Sequence, residues 1–108
     1  MRNEVKWTFG AVLFALAING TAVSATPEAS AAKAGCVACH AASKKLLGPS
    51  YHDIAEKYKA DPKAPAALAA KVRSGGAGVW GKVKMFPIDA KKIGDTDLDA
   101  VIAWILKQ

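Results

Sequence analysis

The chain has little with which to cross-link itself or chelate a metal. Its 108 residues include two cysteines and two histidines. Both cysteines fall in one short stretch, so no disulfide is available to staple distant segments. A structural zinc site takes about four ligands in two clustered pairs. No third cysteine is present, and His52 has no partner histidine beside it. A thioredoxin-type redox pair expects a βαβ setting, and nothing upstream of the cysteines reads as a strand. No strand signal rises above background anywhere, and there is no internal repeat. Ser74-Gly75-Gly76-Ala77-Gly78 has no strand before it and no Gly-Lys-Ser/Thr after it. Three glycines in four residues mean a loop with unusual backbone angles, to which a phosphate-binding loop is a weak rival. The apolar run Phe9–Ile18 is too short to span a bilayer comfortably.

What is there begins with an export leader. Arg2 and Lys6 precede the apolar run, and Val23-Ser24-Ala25 offers small residues for cleavage. That order is expected of a secretory signal peptide over residues 1–25, with an uncleaved membrane anchor as its rival. Residues 26–108 then form one small domain of 83 residues. A core of that size is marginal without a staple. The whole chain has formal charge +6, and loss of Arg2, Lys6 and Glu4 leaves +5. An exported basic protein without a binding motif is not expected to take nucleic acid. An acidic protein partner and mere solubilisation by scattered lysines both fit.

The organising stretch is Cys36-Val37-Ala38-Cys39-His40. C-x-x-C-H is the attachment signature of c-type haem. On a helix, positions i, i+3 and i+4 share a face. Cys36, Cys39 and His40 can therefore address one flat ligand. The thiols add to the haem vinyl groups as thioethers, and the imidazole falls under the iron. One covalent haem supplies the missing staple and an apolar body for the short chain to wrap.

Around this motif the chain reads as short helices. Thr26 caps a first helix, with Pro27 at its first position. Gly35 either ends that helix or admits a close backbone or haem approach. Lys44-Lys45 are expected to be solvated and Leu46-Leu47 to turn inward. Gly48-Pro49 is a turn. Ser50 caps a second helix to about Tyr58. A third runs from about Ala64 to Arg73. Val79–Pro87 is expected to be extended or irregular. Asp95 or Thr96 caps a last helix in which Leu98, Val101, Ile102 and Ile105 mark one buried face. Trp104 is expected at the edge of that face.

A haem held by His40 on one side leaves its other side to another ligand or to an open position. Met85 is the one methionine outside the leader. It is either core filler or a thioether ligand that suits electron transfer. His52 competes for that role, although a surface place suits it better. Lys82 or Lys84 is expected to replace Met85 at alkaline pH.

Taken in order, Gly35–His40, Gly48-Pro49, Gly78-Val79-Trp80-Gly81, Met85 and Trp104 resemble small bacterial class I c-type cytochromes, most nearly the cytochrome c-551 type. The resemblance covers nearly all of residues 26–108. It implies an all-α, single-domain class I cytochrome c fold with several short helices around one covalent haem c. It implies axial ligation by His40 and Met85. It implies that the Pro49 carbonyl accepts the other ring N–H of His40, and that Trp80 donates to a haem propionate. Lys71 stands where relatives tend to have a basic residue near a propionate. Three departures stand out. Lys84 and Phe86 flank Met85 where prolines are common, so the loop is expected to be looser. Ala29, Ala31 and Ala32 replace a large apolar residue. Lys71 replaces the better-forked arginine.

The expectation is thus a monomeric periplasmic electron carrier, not an enzyme, that serves redox protein partners. It has no stable membrane insertion once the leader is cleaved. The alternative is a haem enzyme or gas-binding sensor with an open sixth iron position.

Overall fold

The structure is a computed structural model that describes residue 8, residues 10–15 and residues 25–108. The expected leader therefore lies largely outside the described residues. No described helix is long and apolar enough to cross a membrane.

Helix α1 spans Pro27–Ala34. Thr26 caps it as expected, its hydroxyl accepting the Ala29 N–H at 3.2 Å. Helix α2 spans Tyr51–Lys57, with the Ser50 hydroxyl accepting the Asp53 N–H at 3.0 Å. Helix α3 runs over Ala64–Ser74 and helix α4 over Asp95–Ile105. The expected cap of α4 is corrected. Gly94 takes that position, and Asp95 falls inside the first turn with Asp97. There both carboxylates face the positive end of the helix dipole.

The core lies where α1 meets α4. Ala31 and Ala34 pack against Leu98, Val101 and Ile102. Ala31 is 1% exposed and Val101 is 2% exposed. Small residues on α1 let the two helices approach closely, which is how the chain manages without a large apolar residue there. Burial of each large aliphatic side chain is worth about 1.5–3 kcal/mol. Ile88 and Ile93, from the connection before α4, complete the core. Trp104 meets Tyr51 edge-on, with centroids 5.2 Å apart and planes at 68°. This contact ties α2 to α4.

One element departs from the all-helical expectation. Strands β1 (Gly76–Gly78) and β2 (Gly81–Met85) form a two-stranded antiparallel hairpin. Its turn is Val79-Trp80. Gly78 and Gly81 pair across it, with φ of 119° and 113°. A β1 strand of Gly-Ala-Gly has almost no side chains to alternate, so the period-two signal of a strand cannot appear there.

Candidate haem site

Helix α1 stops because Gly35 turns left-handed, with φ 91° and ψ 9°, and its N–H returns to the Ala31 and Ala32 carbonyls. A Cβ built at Gly35 meets nothing within 4 Å. The helix-end reading therefore holds; no other described backbone comes close to Gly35, which also lines the cavity described below.

The motif itself is not on an α-helix face as expected. Residues Cys36–Ala38 form a 3-10 turn. The Cys39 and His40 N–H groups both return to the Cys36 carbonyl, at 3.2 and 3.0 Å. The second of these is one α-type bond, and it keeps His40 beside Cys36. Both cysteines are half-buried and unbonded to each other. Burial pushes the Cys36 thiol up. A redox pair of the thioredoxin kind needs a lowered thiol. Among the described residues no group of three or more His, Cys, Asp and Glu could hold a metal ion.

His40 is held on several sides. Its Nδ1 lies 2.7 Å from the Pro49 carbonyl oxygen. Nδ1–H donates there, which leaves Nε2 as a free lone pair. The Tyr51 ring stacks beside it, centroids 5.9 Å apart and planes at 20°. A Cβ on Gly48 would stand 2.5 Å from Cε1 and 2.9 Å from Nδ1 of the same ring. Gly48 thus seats the imidazole, a role that its reading as a mere turn residue misses. The Gly48 N–H bonds to the Cys39 carbonyl at 2.9 Å and closes the loop.

Met85 ends β2 and is half-buried. Cys36, Cys39, His40, Trp80 and Met85 all line a single cavity of about 570 Å³. That lies within the roughly 300–1,000 Å³ typical of cofactor sites. Leu68, Val101 and Ile102 give it apolar walls. Leu47 also lines it, whereas Leu46 does not and is 40% exposed rather than turned inward as expected. Lys71 and Lys84 add cations to the wall. The Lys71 ammonium comes within 3.3 Å of a Cβ built on Gly76. Trp80 sits in the hairpin turn with the Lys57 ammonium 5.5 Å from its ring centroid.

This donor set fits haem. Two neighbouring thiols, an oriented imidazole and a thioether share one apolar hollow. Cationic and indole donors in the same wall suit carboxylate tails. His52 is exposed on α2 and does not line the cavity, and neither does Lys82.

Sequence reasoning missed Arg73 and Tyr51, and of Gly75 it expected the unusual backbone angle (φ 66°) but not the close approach. Arg73 bonds the Ile88 and Ile93 carbonyls and the Asp95 carboxylate. Gly75 lies against the backbone of Met85 and Pro87. The Tyr51 hydroxyl is buried without a hydrogen-bond partner among the described residues. For Gly75, the run of glycines was the available signal. For Arg73 and Tyr51 the sequence carries none.

Comparison with known proteins agrees with this chemistry. The chain is 52% identical to cytochrome c2 of Rubrivivax gelatinosus over 83 residues, which is 77% of this chain and 98% of the relative. It is 38% identical to cytochrome c-551 of Pseudomonas aeruginosa over 82 residues, 76% of each. Its fold superposes on the crystal structure of Nitrosomonas europaea cytochrome c552 with TM-score 0.66 at 40% identity, covering 72% of this chain and 94% of that one. The cytochrome c family profile matches residues 27–108. The chain therefore belongs to the cytochrome c family and carries one covalently attached haem c.

Proposed function

We propose that the chain is a periplasmic electron carrier whose haem iron is closed by His40 and Met85. One observation carries this reading: the cavity that holds both cysteines and His40 also holds Met85. The electron-carrier role itself follows from membership of the family. Bound haem supplies reversible one-electron exchange at its iron.

The chain's own residues do the rest. Cys36 and Cys39 hold the group as thioethers. His40 presents Nε2, oriented through Pro49 as outer partners commonly orient ligating histidines. Met85 closes the remaining position and favours a positive potential. The apolar wall keeps water from the centre. Lys71 and Trp80 meet the propionates. Lys84 lines the cavity and Lys82 does not, so of the two expected candidates Lys84 would be the one placed to take the position of Met85.

Cleavage after Ala25 would release the chain at Thr26, the residue that caps α1. The family match begins at residue 27, which agrees with residues 1–25 serving as a leader. The mature protein is a monomer. Exposed Lys44, Lys45, Lys82 and Lys84 steer it toward an acidic face of a redox partner.

The oxidised spectrum of the holoprotein tests the ligand assignment. A methionine–iron charge-transfer band should be present, disappear in Met85→Ala and persist in Lys84→Ala. The lysine variant should also shift the alkaline transition upward. A band that survives in Met85→Ala would remove Met85 from the iron.

A further inference from the structure

The segment after Met85 lacks the stiffening that flanking prolines would give it. Only Pro87 is present, and Phe86 is 81% exposed. The C-terminal end of α3 supplies a different restraint. The Val72 carbonyl accepts the Ile88 N–H at 3.0 Å. Gly75 passes so near that a Cβ on it would collide with the Met85 carbonyl oxygen and stand 2.8 Å from the Pro87 nitrogen. Arg73 reaches across both ends of the connection to α4. One guanidinium nitrogen donates to the Ile88 carbonyl at 3.2 Å and to the Ile93 carbonyl at 2.8 Å. Another donates to Asp95 Oδ1 at 2.7 Å.

We propose that Arg73 is the positioning residue for Met85. It clamps the segment that follows the methionine and so keeps the thioether in the cavity. This rests on the reading of Met85 as an iron ligand. An arginine suits the task because its planar fork offers five donors in fixed directions. Two carbonyls and a carboxylate, spread over residues 88–95, are met by one rigid group. Without it, the Ile88 and Ile93 carbonyls turn to water, and the segment gains freedom where Met85 needs none. The Asp95 contact matters less. The Asp95 side chain is 90% exposed, and ion pairs at such sites contribute little.

The test uses haem-loaded protein and its Arg73→Gln, Arg73→Lys, Asp95→Asn and Met85→Ala variants. Imidazole is titrated against the oxidised iron, where it occupies the position that opens when the thioether leaves. The charge-transfer band and global unfolding by circular dichroism are followed alongside. Arg73→Gln should bind imidazole about tenfold more tightly, the scale of losing charge-assisted bonds, with a weakened band. Arg73→Lys should lie between, at about threefold, because it keeps the charge and loses the fork. Asp95→Asn should stay near the parent.

Parent-like imidazole affinity in Arg73→Gln, with a lowered unfolding midpoint, would make Arg73 merely structural and overturn the proposal. Should Arg73→Gln take up no haem, parent-like affinity in Arg73→Lys would overturn it equally. If Met85→Ala binds imidazole no more tightly than the parent, the ligand reading fails and the clamp fails with it.

Discussion

His40 shows how much one ring depends on its neighbours. Pro49 fixes which nitrogen carries the proton, and Gly48 leaves the space in which the ring lies. Gly48→Ala should therefore push the imidazole out of place, at an overpacking cost of about 1–3 kcal/mol. Chemical denaturation of the haem-loaded variant measures the loss, and a distorted oxidised spectrum should accompany it. Tyr51 behaves in the opposite way. Its ring packs between His40 and Trp104 while its hydroxyl finds no partner among the described residues. Tyr51→Phe keeps the packing and removes an unsatisfied group, so stability should hold or rise by up to about 1 kcal/mol. Burial pushes the Tyr51 phenol up to about 12. The folded state thus favours the neutral form. That contribution is complete below about pH 10, the unfolded value, and is lost as pH rises through the folded value. Stability measured against pH should fall less steeply above pH 10 in Tyr51→Phe. Of these residues the sequence exposes His40 through its motif, and Pro49 through resemblance. Gly48 as a seat for the ring, and Tyr51 as its neighbour, depend on packing across a loop that no local pattern records.

Among the elements, the helices were legible and the hairpin was not. Thr26 and Ser50 announce their helices by hydroxyl caps, and both caps form. The last helix is announced by its i, i+3, i+4, i+7 apolar spacing, and Leu98, Val101 and Ile102 are buried as that spacing requires. The motif turn was misjudged because a left-handed glycine and a 3-10 turn satisfy the same sequence spacing as a helix. The hairpin was missed because its first strand is nearly all glycine. Its consequences lie in the glycine backbone itself. Gly75 has φ 66° and ψ −157°, a region essentially reserved for glycine, which costs other residues about 1–3 kcal/mol. The collision with the Met85 carbonyl adds to this. Gly75→Ala should destabilise the protein by roughly 3 kcal/mol or more and weaken the charge-transfer band. A variant with parent-like unfolding and an intact band would show that α3 does not constrain the Met85 segment.

At the scale of the whole molecule, the core and the cavity are continuous, since Ala34, Leu98, Val101 and Ile102 belong to both. That core is small and built partly from alanine. A chain this short has a thin margin of stability without a staple, and the haem that the two cysteines attach is that staple. Cys36→Ser with Cys39→Ser should leave the chain with much weaker helical circular dichroism than the loaded protein. Retention of full helicity and a cooperative unfolding transition would show that the polypeptide folds without its cofactor.

In the proposed reading both axial positions belong to the protein and the iron only exchanges electrons. Reduced holoprotein should be exposed to carbon monoxide and its visible spectrum recorded. A low-spin spectrum that carbon monoxide leaves unchanged is the predicted result, as a closed His40 and Met85 site requires. A spectrum that shifts readily would mean an open or labile sixth position, would return Met85 to the core, and would contradict the account.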